Sequence, residues 1–273
     1  MKYYIVSILV AILFLSPCKG FGETYSPKEI TEWRRDAAQG KAYAQYNLGM
    51  MYDQGRGVRK DYAEAVKWYL LAAQQGNAHA QYNLGVMYSQ GQGVRQDYIE
   101  ALKWYLLAAQ QGEAKAQYNL GVSYDQGQGV RQDYAEAVKW YLLAAQQGNA
   151  SAQFNLGLIY VQGQGVRQDY IEALKWYLLA AQQGEAKAQY NLGVMYSQGQ
   201  GVRQDYIEAL KWYRLAAQQG NADAQFNLGV MYSQGQGVRQ NKTVAKQWFG
   251  KACDNGDQGG CDAYRKMNEA GIK

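Results

Sequence analysis

The chain has 273 residues and a net charge of +5, from 28 Lys plus Arg against 23 Asp plus Glu, with one His, three Cys and two Pro. That balance excludes a collagen, a disordered tail and a disulfide-dense mini-protein. The aromatic mixture is skewed, 25 Tyr and 7 Trp against 5 Phe, and together with 31 Gly it points to one unit copied many times.

At the amino terminus Lys2 is followed by an apolar run from Ile5 to Leu15, broken only by Ser7. The run is too short to span a bilayer. With its positive start and the small residues Gly20 and Gly22, it predicts a secretory signal peptide over residues 1–20 and an exported chain, periplasmic or secreted. A lipoprotein is the competing reading at Cys18, but Pro17 stands where a small residue is needed. Cleavage after Gly20 removes Lys2, Cys18 and Lys19; no integral membrane segment is expected to remain, and the residual charge is too mild for a nucleic-acid partner. Residues 21–40 then predict an N-terminal capping helix, opened by Ser26, Pro27 and Glu29 and carrying Trp33, Arg34 and Arg35 before it ends at Ala38.

From residue 41 the sequence repeats. Leu48, Leu84, Leu120, Leu156, Leu192 and Leu228 stand 36 positions apart, each inside a QYNLG or QFNLG string. Six units follow, 41–76, 77–112, 113–148, 149–184, 185–220 and 221–256, and residues 257–273 predict a C-terminal capping helix. Units 77–112 and 185–220 differ only at Asn77 and Glu185, His79 and Lys187, and Leu106 and Arg214, so sameness between units says little about selection at any one position.

In unit 77–112, Ala80, Leu84, Gly85 and Tyr88 mark one face of a helix over 78–90. A mid-helix Gly costs about 1 kcal/mol against Ala, which predicts a neighbouring helix at Gly85 too close for a side chain. Gly91, Gln92 and Gly93 end that helix. Asp97 predicts the N-cap of the next, Glu100 a capping box with it, and Ala101, Trp104, Tyr105 and Ala108 its apolar face; Gly112 supplies a left-handed stop. One such antiparallel hairpin cannot bury its own apolar face, so stacking predicts an all-α, right-handed α-solenoid. The column Trp68, Trp104, Trp140, Trp176, Trp212 and Trp248 is expected in its core.

The string AQYNLGVMYSQGQGVRQDYIEALKWYLLAAQQG resembles the Sel-one-like repeat (SLR), a relative of the tetratricopeptide repeat with a slightly longer loop between its helices. The resemblance covers residues 41–256 in length, Gly positions, the Leu-Gly pair, the paired Trp and Tyr, and AAxxG. The closing string ACDNGDQGGC is similar to the cysteine-rich secreted branch of that family, where Cys pairs eight apart bridge adjacent helices. This resemblance implies a disulfide between Cys253 and Cys261, with two free thiols as the alternative. Other units hold Ala and Gln in the same places, for example Ala109 and Gln117.

A search for chemistry yields little. His79 is the single His and stands where other units carry Tyr43, Lys115, Ser151, Lys187 and Asp223, so it reads as an exposed variable residue, and neither a His-based triad nor a His-rich metal site can be built from it. Cysteine-rich relatives have been described as β-lactamases or penicillin binders, but the only SxxK runs from Ser16 to Lys19, inside the predicted signal peptide. No SDN or KTG string occurs, and Lys242, Thr243 and Val244 fail at the Gly. The GQGVRQD loops read as turn geometry rather than a phosphate cradle, because Asp97 occupies the helix start and no strand precedes it. Neither an enzyme, a cofactor nor a metal is expected.

What remains is surface repeated in register. By analogy with tetratricopeptide folds, the first helix of each unit lines the concave side and presents positions such as Tyr82, Asn83 and Val86. Stacked units then form an aromatic ladder through Tyr82, Tyr118, Phe154 and Tyr190, flanked by Tyr46 and Phe226, beside an amide ladder through Asn83, Asn119, Asn155 and Asn191, flanked by Asn47 and Asn227. An Asn amide both donates to and accepts from a peptide bond, so the two ladders suit an extended protein segment. The alternative is that the aromatics pack between units and the Asn side chains bond a neighbouring loop. The expected function is a monomeric, exported interaction scaffold for a protein or extended peptide; a cell-envelope binder of β-lactams or peptidoglycan fragments, or a weakly β-lactamase-like enzyme, and a host-directed virulence factor are the alternatives.

Overall fold

A computed structural model describes residues 25–272, and every regular element among them is an α-helix. The predicted signal peptide, with Cys18, lies outside the described residues. A lone helix α1 (Pro27–Ala38) precedes six hairpins: α2 (Ala42–Gln54) with α3 (Tyr62–Gln74), α4 (Ala78–Gln90) with α5 (Tyr98–Gln110), α6 (Ala114–Gln126) with α7 (Tyr134–Gln146), α8 (Ala150–Gln162) with α9 (Tyr170–Gln182), α10 (Ala186–Gln198) with α11 (Tyr206–Gln218), and α12 (Ala222–Gln234) with α13 (Lys242–Asp254). A last helix, α14 (Gln258–Glu269), packs on α13 as the first helix of a further unit would. Each second helix contacts both the first helix of its own unit and that of the next, which makes the chain an α-solenoid.

The hairpins begin and end for local reasons. First helices stop at a glycine in the left-handed region, as at Gly91 with φ +69°. Second helices start at an aspartate, or at Asn241 in α13, whose side chain caps the first turn; the Asp97 carboxylate accepts from the backbone N–H groups of Ile99 and Glu100. The expected capping box does not close there. The Asp97 N–H already donates to the Tyr88 carbonyl (2.9 Å), so no free donor is left for Glu100, which instead accepts from Lys103 Nζ at 2.8 Å. At Ser26 the backbone N–H is available, and Glu29 completes the reciprocal box.

The close approach expected at Gly85 is present. A Cβ there would lie 2.6 Å from the Tyr105 ring, and the same contact recurs between Gly121 and Tyr141 and between Gly157 and Tyr177, both at 2.4 Å. The loops make a second close approach, from one unit to the one before it: a Cβ on Gly93 would fall 2.3 Å from the Tyr62 carbonyl oxygen at the start of α3. The Trp column departs from expectation. Trp104 is half-buried at the rim, packed against the Ala65, Leu84 and Met87 cluster of the preceding junction, while the adjoining Tyr105 is the buried residue because it alone faces Gly85.

Polar side chains also cross the junctions. Buried Gln81 donates from Nε2 to the Ala73 carbonyl of the preceding unit (3.0 Å), and its Oε1 accepts from Gln111 Nε2 (2.7 Å) in its own. Gln117, Gln153, Gln189 and Gln225 repeat the bond to Ala109, Ala145, Ala181 and Ala217. At the last junction Cys253 and Cys261 occupy the Ala and Gln places and are joined as a disulfide, with a Cα–Cα distance of 4.5 Å. Closing so short a loop stabilises by about 2–3 kcal/mol in the chain-entropy model. Reduction, or Cys261→Ser, is therefore expected to speed amide exchange in α13 and α14 and leave α4 to α7 unchanged; uniform protection along the chain would contradict this.

At the other end α1 is pinned through buried Asp36, which accepts from the Tyr43 hydroxyl, from Lys41 Nζ (3.1 Å) and from Arg35 Nε (3.2 Å). These bonds, Tyr43's foremost, lower its carboxyl to about 2. First helices of successive units touch one another, α2 with α4, α6 with α8 and α10 with α12, and second helices do not do so to that extent, so the first helices line the inner curve. Among the described residues no helix is long and apolar enough to cross a membrane.

Candidate functional site

The two ladders lie on that inner curve, and every member is half-buried: Tyr82, Tyr118, Phe154 and Tyr190 with Asn83, Asn119, Asn155 and Asn191. Each aromatic leans on the buried ring of its own unit's second helix. The centroids are 6.2 Å apart for Tyr82 and Tyr105 and 5.9 Å apart for Tyr118 and Tyr141, Phe154 and Tyr177, and Tyr190 and Tyr213, all tilted.

Each Asn reaches back across the junction. Asn83 stands beside the hydroxyl of Tyr69, Asn119 beside that of Tyr105, Asn155 beside those of Tyr118 and Tyr141, and Asn191 beside that of Tyr177. Burial pushes these phenols up, and the neighbouring Asn amides partly offset it; at Tyr213, beside Asn227, the value reaches about 12. The inner neighbour of the amide ladder is thus a tyrosine of the preceding unit. An Asn side chain offers two donor hydrogens and two acceptor sites, and one bond to a hydroxyl leaves capacity on the open side.

Near-identical units differ along this surface. Beside the buried ring, Tyr in five units and Phe249 in the sixth, stand Asp53, Ser89, Asp125, Val161, Ser197 and Ser233 in turn. Asp53 and Asp125 accept from Tyr69 and Tyr141, each at 3.3 Å, and burial raises both carboxyls. Ser89 and Ser197 meet Tyr105 and Tyr213 at 3.1 and 3.3 Å. Exposed His79 pairs with Glu113 of the following unit, Nδ1 to Oε2 at 2.8 Å. Among the described residues no three His, Cys, Asp or Glu side chains come together as a metal centre.

The buried Gln thread is the feature that sequence reasoning missed. Its signal was available: Gln81 stands three residues before Leu84 and four before Gly85, on the buried face of α4, where an unpaired amide would be costly.

Comparison with known proteins matches this geometry. The Sel1 repeat model fits residues 42–77, 78–113, 114–149, 150–185, 186–221 and 222–257, each match taking in one hairpin. Among solved structures, a protective antigen of uropathogenic Escherichia coli with an SLR fold is 38% identical, with a TM-score of 0.81 over 89% of this chain and 56% of that one. A Sel1 repeat protein from Oxalobacter formigenes is also 38% identical, with a TM-score of 0.72 over 82% of this chain and 89% of that one. The chain thus spans little more than half the length of the E. coli antigen. No curated protein matches it. With one family match on each of its six hairpins and two solved repeat proteins sharing its course, the chain belongs to the Sel1 repeat family, a family of interaction scaffolds.

Proposed function

We propose that this Sel1 repeat protein is an exported, monomeric scaffold that holds an extended segment of a partner protein along its inner curve, without turnover and without a cofactor. The observation that carries the reading is the in-register pair of half-buried ladders, one aromatic and one Asn per unit. The Asn amides bond the partner's backbone and the aromatic edges take its side chains. Variation at Tyr43, His79, Lys115, Ser151, Lys187 and Asp223 changes the charge along the array and so helps to set the partner's order on it. Export is supported by the apolar segment Ile5 to Leu15 and by a disulfide, which persists in oxidising compartments.

A photo-crosslinker at Tyr118, mid-array, is expected to capture one dominant protein in intact cells, and Asn119→Ala with Asn155→Ala is expected to abolish the capture. Diffuse labelling that survives both substitutions would sink the reading, as would hydrolysis of nitrocefin above the buffer rate. A second reading, a factor directed at a host, is favoured by the likeness to a protective antigen. It is the same scaffold with the partner in another organism, and the identity of the captured protein separates the two.

A further inference from the structure

One position breaks the core of the array. Met51, Met87, Ile159, Met195 and Met231 occupy equivalent places in five first helices, each at most 3% exposed and packed against the preceding unit or α1. In α6 that place holds Ser123, whose hydroxyl turns back to donate to the Asn119 carbonyl at 2.9 Å. The volume a methionine would fill is open. It contributes to a cavity of about 280 Å³ between α4, α5 and α6.

The lining is uncharged and mixes polar and aromatic side chains with the aliphatic Val86, Ala101 and Val122. Ser89, Tyr105, Asn119, Ser123 and Gln128 bring hydroxyls and primary amides to it, and Tyr82 brings a ring. The Ser89 hydroxyl donates to the Val86 carbonyl at 2.8 Å and so accepts from the Tyr105 hydroxyl at 3.1 Å, which leaves these hydroxyls lone pairs with which to accept from a ligand. Hydroxyl oxygens that still accept, beside the Asn119 and Gln128 amides that can donate, match a ligand whose own groups do both, as alcohols do, and an aromatic ring suits the C–H face of a saturated ring. An ionised ligand would meet no counter-charge in the lining and would lose its hydration. The volume sits near the lower end of small-molecule sites, at roughly 300 Å³.

We propose that the cavity beneath Ser123 is a binding site for a neutral, polyhydroxylated small molecule of monosaccharide size. The proposal does not rest on the extended-segment reading, because a partner running along the ladders meets Tyr82 and Asn119 whether or not the space behind them is filled.

The test uses saturation-transfer NMR on the full chain with glucose and sorbitol as neutral probes and glucosamine and glucuronate as charged ones. Saturable binding of a neutral probe is expected, with the charged probes about tenfold or more weaker. Ser123→Met restores the residue of the neighbouring units, so the variant is expected to fold with an unchanged or higher melting temperature and to lose the signal. Ser123→Ala keeps the space and removes one hydroxyl, and is expected to weaken binding several-fold without abolishing it. Absence of saturable binding of either neutral probe to the native chain, as for a cavity that holds water only, overturns the proposal. So does undiminished binding in Ser123→Met. Crosslinking from Tyr190, far along the array, reads the scaffold function separately and is expected to be the same in both variants.

Discussion

Gly121→Leu is expected to lower the stability of the array by about 3 kcal/mol or more, through overpacking that the structure cannot relieve. A Cβ at Gly121 would lie 2.4 and 2.5 Å from two carbons of the Tyr141 ring. That ring is fully buried and has nowhere to move: Tyr118 leans on it, and its hydroxyl donates to Asp125 at 3.3 Å. Gly121→Ala sets a gain of about 1 kcal/mol in helix propensity against an overpacking cost of about 1–3 kcal/mol, so a smaller net loss is expected. Urea unfolding followed by helical circular dichroism measures both. A midpoint unmoved by the Leu substitution would mean that the glycine serves no close contact.

The second large effect is a difference between two loop glycines. Gly129 and Gly148 both have left-handed backbones, with φ +73° and +86°. Any residue with a Cβ costs about 1–2 kcal/mol in that region. A Cβ on Gly148 meets nothing within 4 Å, whereas one on Gly129 falls 2.3 Å from the Tyr98 carbonyl oxygen and 2.5 Å from its carbon. Backbone atoms cannot rotate aside, so the loop would have to lift from α5. Gly129→Ala is expected to lose about 1–3 kcal/mol more than Gly148→Ala. Equal losses in thermal melts would show that the loop is not seated on the preceding unit.

Much of this architecture was legible because repetition converts weak local signals into a register. Ala80, Leu84, Gly85, Gly91 and Gly93 set the course and end of α4 as read from spacing, and Asp97 the start of α5. The misreadings share a cause: each depended on a contact across the loop or across a junction. Glu100 was expected to close a box, but the donor it needed was taken by Tyr88, nine residues before the cap. Trp104 and Tyr105 both lie on the apolar arc of α5, and which of them is buried is decided by the bare backbone of Gly85 on another helix. The Asn ladder was open between two readings because its inner neighbour, a tyrosine hydroxyl 14 residues earlier, belongs to the preceding unit. Ser123 stands out in the sequence as a break in a column of large apolar residues, yet only the packing around it shows that the space stays open.

The junction bonds have a mechanical meaning. Five successive junctions are tied by the same Gln to Ala carbonyl bond and by similar cores, and a pull on the chain ends loads them in series. Links of near-equal strength yield one after another at near-equal force. Each yielded 36-residue unit would release roughly 120 Å of contour length at about 3.4 Å per residue. The sixth tie is covalent and closes its own short loop, so the segment from Cys253 to Cys261 cannot be drawn out at any force that breaks the others. Extension is therefore confined to the part of the array that carries the ladders, which behaves as a stepwise, rewindable spring ending in a fixed clasp.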